Sequence, residues 1–143
     1  MAEGFSWAGS KGFHIAVPLD AKADFATVAR FAHRVGKLLV TRDPENLTRE
    51  FHKVDRRGRI LVDTGRNDYS ATFAAAYTVR ARRGATVSAP CTWEEVERGE
   101  VSPGSFTIRN MAQRIANVGD LWSDLLKTKR SLRLPMERLS KML

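Results

Sequence analysis

The feature that most constrains the fold is a change of hydrophobic period between residues 13 and 40. From Phe13 to Val17 the apolar side chains alternate, which predicts a half-buried strand that Pro18 ends. From about residue 21 to residue 40 the apolar positions recur at spacings of three and four, which predicts a helix with Asp20 as its N-cap. A strand that leads directly into a long amphipathic helix indicates a protein of mixed α/β class.

The remainder of the chain supports the same class. Leu47 and Phe51 lie four apart and predict a short second helix over about residues 45–54, and the apolar run Ile60–Val62 predicts a buried strand. Residues 71–82 favour a strand by their alternation, although the alanines there also allow a helix. The further expected elements are an extended segment at 86–89, a capped helix at 92–98, and helices at 108–118, 120–127 and 135–143. We therefore expect a single α+β domain over residues 1–143 with a helical C-terminal end.

The charge indicates a class of partner. The chain carries a formal charge of +8, with 17 Arg against 7 Lys, and Arg suits two-pronged contacts to phosphate. A polyanion is one interpretation, and an ordinary basic domain is the other. A lone cysteine, Cys91, excludes an internal disulfide, and no apolar run reaches the length of a membrane span. Because the N-terminus also lacks a signal-peptide pattern, we expect a cytoplasmic protein without membrane contact.

A first candidate cluster precedes the predicted strand. Gly9-Ser10-Lys11-Gly12 would let the backbone approach a ligand closely, with Lys11 positioned to meet a phosphate. His14 lies on the face of the strand opposite to Phe13 and could reach a site. The alternative is an ordinary turn, because the segment does not fit the Walker A pattern.

A second candidate is Asp63, which follows the predicted strand at residues 60–62. A carboxylate at the C-terminal end of a buried strand is well placed to hold a divalent metal. The alternative is that Asp63 only begins a turn, which the neighbouring Gly65 and Asn67 favour.

A third candidate is the pair Arg80 and Arg82. On a strand the two side chains would project to the same side, where two guanidinium groups repel each other unless an anion lies between them. A triphosphate or a nucleic-acid backbone would serve as that anion. The alternative is a solvated basic edge that protects a strand from aggregation.

Taken in order, these clusters resemble the polymerase domain of bacterial DNA ligase D, a member of the archaeo-eukaryotic primase superfamily that acts in non-homologous end joining. The family pattern is Ser-Gly-x-Lys-Gly-x-His, then an apolar run ending in Asp with Asn four residues on, then Tyr-Ser-x-Arg-Ala-Arg, then a Pro and a Trp-Glu/Asp-Glu segment. The matching residues here are Gly9 to His14, Asp63 with Asn67, Tyr77 to Arg82, Pro90 with Trp93-Glu94-Glu95, Phe106 to Asn110, and Gly119-Asp120 before Trp122.

The resemblance implies roles for these residues and a partial archaeo-eukaryotic primase-like fold. Asp63 would be a catalytic metal ligand for Mn²⁺ or Mg²⁺, while His14 and Lys11 would face the incoming nucleotide. Arg66, Arg80 and Arg82 would bind its triphosphate. The implied partners are a nucleoside triphosphate and DNA ends or a primer-template.

The chain also departs from the family pattern. It has no Asp-x-Asp pair, which the family places upstream of the Gly-rich motif, and Ala8 and Ala76 replace the family's Ser and Pro. We therefore expect the C-terminal part of a polymerase domain that is inactive alone, with a ligase or a chain that supplies the first half as a further partner. The alternative is a non-catalytic basic module that holds DNA ends or a repair partner.

Overall fold

The computed structural model describes residues 5–8 and 12–143, and it shows mixed helix and strand. In chain order the elements are β1 (Phe5–Ala8), β2 (Gly12–Ile15), α1 (Phe25–Arg42), β3 (Leu47–Thr48), β4 (Ile60–Leu61), β5 (Pro90–Cys91), α2 (Trp93–Glu97), α3 (Met111–Val118), a 3-10 turn (Leu125–Lys127) and α4 (Arg133–Ser140). None of the helices in these ranges has both the length and the apolar character needed to cross a membrane.

The chain divides into two compact units. Unit 1 consists of residues 1–19 and 74–130, and unit 2 consists of residues 20–73 and 131–143. The expectation of one domain over residues 1–143 stays a prediction.

Unit 1 contains a three-stranded antiparallel sheet in the order β2-β1-β5. The predicted strand near residue 13 is present as β2, but its apolar side chains do not lie on the covered face, as expected from the sequence; the less exposed face is that of His14. Phe13 is 42% exposed and Ile15 is 63% exposed, and Val17, beyond the strand, is 54% exposed. The period of two correctly separates the two faces, but which face is covered depends on elements distant in sequence.

Two small apolar clusters stabilise unit 1. Val87, Ala89 and Met111 form one cluster, and Cys91 and Val101 form the other. Phe106 packs against both clusters, so its ring contacts the extended segments that precede and follow α2.

Unit 2 begins with α1, whose N-cap is Asp24 rather than Asp20. The Asp24 carboxylate accepts a hydrogen bond of 2.7 Å from the Thr27 N–H, whereas Asp20 accepts from the Lys22 N–H at 3.2 Å and only shapes the preceding turn. Leu132 and Leu139 are buried at and within α4, and α1 contacts α4, where the Arg34 guanidinium donates to the Ser140 hydroxyl at 3.3 Å. Of the residues in α1 only Gly36 is buried, and Phe25 and Leu39 on its predicted apolar face are 57% and 42% exposed, so α4 covers that face only in part.

The predicted helix at residues 45–54 is wrong. Leu47–Thr48 forms β3, which pairs in parallel with β4 at Ile60–Leu61. Ile60 donates its N–H to the Asn46 carbonyl at 2.8 Å, and Val62 donates to Thr48 at 2.8 Å. Pairing with a strand 13 residues away in the sequence overrides the weak local signal of two apolar residues spaced four apart.

The prediction of a strand over residues 71–82 holds for only a short part of that range. Within it, the structure has a single antiparallel bridge, between Val79 and Val87, and no regular strand. The alternation of Ala and Phe before Tyr77 has no pairing partner in the described chain, because those residues form irregular backbone. Of the later predicted helices, those at 108–118 and 135–143 are present as α3 and α4, over 111–118 and 133–140. The helix predicted at 120–127 is wrong, because those residues form turns and one 3-10 turn.

Candidate functional site

Arg80 and Arg82 lie in one tight turn of unit 1. The Arg80 N–H donates to the Thr86 carbonyl at 2.8 Å, the Arg82 N–H donates to the Arg80 carbonyl at 2.7 Å, and the Ala85 N–H donates to Arg82 at 2.9 Å. The expectation that a strand projects both side chains to one side is wrong, because the chain reverses at Ala81 and Gly84 takes a φ of +90°. The turn itself keeps the two arginines close along the backbone.

The arms of this turn pair with a further segment of unit 1. Val87 donates its N–H to the Phe106 carbonyl at 2.9 Å, and Ile108 donates to the Ala85 carbonyl at 3.1 Å. In the described chain neither the Arg80 nor the Arg82 guanidinium forms a hydrogen bond or an ion pair, and Arg82 is exposed. Two cations are thus held by their backbone while their charged groups remain available to an anion.

Tyr77 anchors the start of the turn. Its N–H donates to the Ser88 carbonyl at 2.7 Å, and its phenolic O–H donates to the Asp120 carboxylate at 2.6 Å. Burial and this bond to Asp120 raise the pKa of Tyr77 to about 12, so the hydroxyl stays a donor at physiological pH. The same bond, together with the Trp122 N–H, holds the pKa of Asp120 below its usual value.

Glu95 and Arg114 form the second anchor. The Arg114 guanidinium donates two parallel hydrogen bonds to the Glu95 carboxylate, at 2.7 and 2.8 Å, and a third to the Pro90 carbonyl at 2.8 Å. It also lies 4.1 Å from the centre of the Phe106 ring. The Arg114 side chain is only 9% exposed, and its bonds keep the pKa of Glu95 below the usual value. The pair thereby holds the segments of Pro90 and Phe106, and the Phe106 carbonyl accepts the bond from Val87 next to the Arg80–Arg82 turn.

Asp63 and Arg66, the candidate metal ligand and one of the candidate phosphate contacts, lie in unit 2, in the turn after β4. Asp63 is exposed, and its Oδ1 accepts a hydrogen bond of 2.9 Å from the Gly65 N–H. The Asn67 amide donates to the Thr64 carbonyl at 3.0 Å. Arg66 is exposed between them. Asp63 thus stabilises the turn through one carboxylate oxygen, and its second carboxylate oxygen is left available to a ligand.

His14 and Lys11 belong to the same predicted cluster, and of these two the structure describes only His14. His14 lies in β2, opposite Ser6 in register, and is half-buried on the face away from Phe13 and Ile15. Lys11 lies outside the described residues. The roles of both residues at a nucleotide stay predictions.

The described residues do not assemble a metal centre on their own. They contain no group of three or more His, Cys, Asp or Glu side chains close enough to hold an ion. Mg²⁺ demands six near-octahedral ligands, and one exposed carboxylate at Asp63 can supply only a small share of these. Asp63 can therefore serve as one ligand of a divalent ion only when other ligands complete the site.

The sequence pointed to the motifs that contain Tyr77, Glu95 and Asp120, but it gave these residues no role, and it did not single out Arg114. Each forms its main contact with a residue 19 or 43 positions away. One observation in the sequence could have indicated these contacts. Tyr77, Glu95 and Asp120 lie in different motifs of the same family pattern, and residues of different motifs are candidates for contact with each other.

Comparison with solved structures defines the class of protein first. The chain superposes on the polymerase domain of Mycobacterium tuberculosis ligase D, solved in complex with DNA, with a TM-score of 0.79 and 31% sequence identity. The match covers 89% of this chain and 44% of that one. The fold is therefore that of an archaeo-eukaryotic primase-like polymerase domain, as the sequence predicted.

The family follows from sequence comparison. Residues 4–122 match the model of the LigD primase-polymerase domain. The chain is 33% identical over 132 residues to the multifunctional non-homologous end joining protein LigD of Pseudomonas aeruginosa, covering 91% of this chain and 16% of that protein. It is 35% identical over 113 residues to the LigD protein of Mycobacterium tuberculosis, covering 79% of this chain and 15% of the relative. The chain belongs to the LigD primase-polymerase family, and it spans about a sixth of the length of these relatives.

Proposed function

We propose that this chain is the phosphate-binding part of a polymerase domain that acts in non-homologous end joining. In that role Arg80 and Arg82 bind the triphosphate of an incoming nucleotide, with Lys11, His14 and Arg66 as further contacts. The reaction of such a domain is attack by a primer 3′ hydroxyl on the nucleotide α-phosphate. Because phosphoryl transfer depends on positioning and charge neutralisation, these cations would hold the leaving pyrophosphate and balance its charge.

One observation carries the proposal. The two guanidinium groups of the Arg80–Arg82 turn have no partner in the described chain, while the turn that bears them is fixed by backbone hydrogen bonds on both sides. Arginines that serve stability usually form ion pairs or bond carbonyl groups, as Arg114 does. Cations that are positioned but unpaired favour an anionic ligand.

The test is calorimetric titration of the whole chain with ATP in the presence of Mg²⁺. Replacing both Arg80 and Arg82 by Ala is expected to weaken binding at least about tenfold, since each removes a charge-assisted hydrogen bond. The matched control replaces Arg133 and Arg138, two exposed arginines of α4, and removes the same charge. Equal weakening in the two double variants would contradict the proposed site.

The metal requirement and the absence of independent activity belong to the same proposal. Asp63 would contribute one ligand to Mn²⁺ or Mg²⁺, and the chain holds no Asp-x-Asp pair to complete the site. We therefore expect no primer extension by this chain alone, with either ion. Robust extension of a primer-template by the purified chain would refute this part of the proposal, whereas ATP binding would still test the arginine site.

A non-catalytic DNA-binding module is the second candidate, and the charge of +8 together with the DNA-bound state of the solved relative favours it. The loop between β3 and β4 contains Arg49, Lys53, Arg56, Arg57 and Arg59 against two acidic residues, Glu50 and Asp55. If the chain binds DNA without binding ATP, this second function replaces the first. Retention of DNA binding in the Arg80 and Arg82 double variant, with loss of ATP binding, would favour the polymerase function.

A further inference from the structure

Tyr77 has a strained backbone beside the two arginines of the proposed site. Its φ is +63°, in the left-handed backbone region that residues other than glycine rarely adopt. Such a conformation is unfavourable and persists only where surrounding contacts hold it in place. Two contacts of Tyr77 do so, namely the backbone bond to Ser88 and the phenolic bond to Asp120.

The position of this strain matters for the arginine turn. The Ser88 N–H donates to the Thr78 carbonyl at 2.9 Å, and the next bond along the same pair of segments joins the Arg80 N–H to Thr86. Tyr77 thus starts the series of backbone bonds that ends at the two arginines. If Tyr77 relaxed to an ordinary backbone conformation, the first bonds of that series would lose their geometry.

The Asp120 carboxylate is suited to hold the tyrosine. Its Oδ1 accepts both the Tyr77 O–H at 2.6 Å and the Trp122 N–H at 2.9 Å, so the carboxylate is oriented by its own turn. Asp120 lies 43 residues after Tyr77 in the sequence, and each residue belongs to a motif of the family pattern, although the proposed function gives neither residue a role. A bond between two such motifs, at the base of the arginine turn, is the observation that carries the inference.

We propose that Tyr77 and Asp120 are positioning residues, whose mutual hydrogen bond keeps the Arg80–Arg82 turn in the conformation that binds a triphosphate. This inference rests on the proposed function and adds to it the device that pre-organises the site. When a binding-competent conformation is only partly populated, the apparent affinity falls by that fraction. Loss of the bond is therefore expected to weaken ATP binding about fivefold, the factor that corresponds to one ordinary hydrogen bond.

The experiment compares Tyr77→Phe, Asp120→Ala and Asp120→Asn by calorimetric titration with ATP and Mg²⁺. Tyr77→Phe is expected to lose about fivefold in affinity, and Asp120→Ala at least as much, because the Trp122 N–H also loses its acceptor. The double variant is expected to lose no more than Asp120→Ala, because both lack the same bond between the two side chains. Asp120→Asn is expected to stay within about twofold, since its amide oxygen still accepts both hydrogen bonds. The control is Tyr69→Phe, the chain's other tyrosine, which is 76% exposed.

A second readout separates this inference from the proposed function. In Tyr77→Phe the amide hydrogens of Arg80 and Ser88 are expected to exchange several-fold faster, while that of Val28, which bonds Asp24 inside unit 2, is unchanged. Unchanged exchange, additive losses, or an Asp120→Asn loss as large as that of Asp120→Ala would each overturn the positioning role. Absence of ATP binding by the unmodified chain would overturn the proposed function and the positioning role together, even if exchange is accelerated.

Discussion

Removal of the Arg114 side chain is the most direct test of how unit 1 is held together. In Arg114→Ala the Glu95 carboxylate loses two hydrogen bonds, the Pro90 carbonyl loses one, and Phe106 loses the cation above its ring. Breaking a buried ion pair on one side costs about 3–5 kcal/mol, because the remaining charge is left without compensation. The Glu95 side chain is 19% exposed and keeps its bond from the Thr92 N–H, which places the expected loss near the lower figure, about 3 kcal/mol.

The assay is urea unfolding followed by tryptophan fluorescence. The chain's three tryptophans, at positions 7, 93 and 122, fall within the ranges of unit 1, so their fluorescence reports on that unit. The matched control is Arg98→Ala, which breaks the exposed pair with Glu100, at 3.6 Å, in the same unit. Exposed pairs contribute less than about 1 kcal/mol, so the control should change little. A loss in Arg114→Ala as small as in Arg98→Ala would refute the reasoning.

The acid dependence of the same variant gives an independent check. In the unmodified chain, the hydrogen bonds from Arg114 hold the pKa of the Glu95 carboxyl in the folded protein below its ordinary value of 4.5. The resulting stability is fully present above pH 4.5 and is lost as the pH falls through the lowered pKa. The difference in unfolding free energy between the unmodified chain and Arg114→Ala should therefore shrink below this pH. A difference that grows on acidification would contradict the assignment of the stabilisation to the ionised pair.

Three further outcomes are expected. Thr92→Ala removes the hydroxyl that accepts from the Glu95 N–H at 3.2 Å and should cost about 1 kcal/mol in the urea assay, whereas a change below the error of the assay would argue against the capping box. Burial raises the pKa of Cys91 to about 11, so at pH 8 only about one thiol in a thousand is ionised, and a thiol reagent should react slowly until the chain is unfolded. If DNA is bound through phosphate contacts, its affinity should fall steeply with salt and show no sequence preference, as fluorescence anisotropy will measure.

Sequence reasoning succeeded where the signal was local. The period of α1 and the Thr92-Trp93-Glu94-Glu95 capping box were both predicted, and both depend on residues within a few positions of each other. The capping box is complete, with the Thr92 hydroxyl and the Glu95 carboxylate each accepting from the other's backbone. The order of the motifs was sufficient to predict the family and its fold.

It failed where a distant segment decides the local structure. The pairing of β3 with β4 replaced a predicted helix. The reversal at Ala81, which replaced a predicted strand, is instead a local turn that a hydrophobic period does not indicate. The contacts that fix the candidate site, Tyr77 with Asp120 and Glu95 with Arg114, join segments far apart in the chain. The order of the motifs makes these residues candidates for contact, but no rule of spacing in the sequence indicates which of them pair.

The exposed apolar side chains of β2 also affect the solubility of the protein. Among the described residues β2 pairs only with β1, and Phe13 and Ile15 beside that edge are 42% and 63% exposed. A strand with an open edge and apolar side chains is a template on which another strand can add, and each added strand presents a new edge. Colloidal stability and folding stability are therefore separate properties of this chain. Its solubility is expected to fall with rising concentration and with sulfate salts, while arginine or a low level of mild detergent should preserve it without changing the fold.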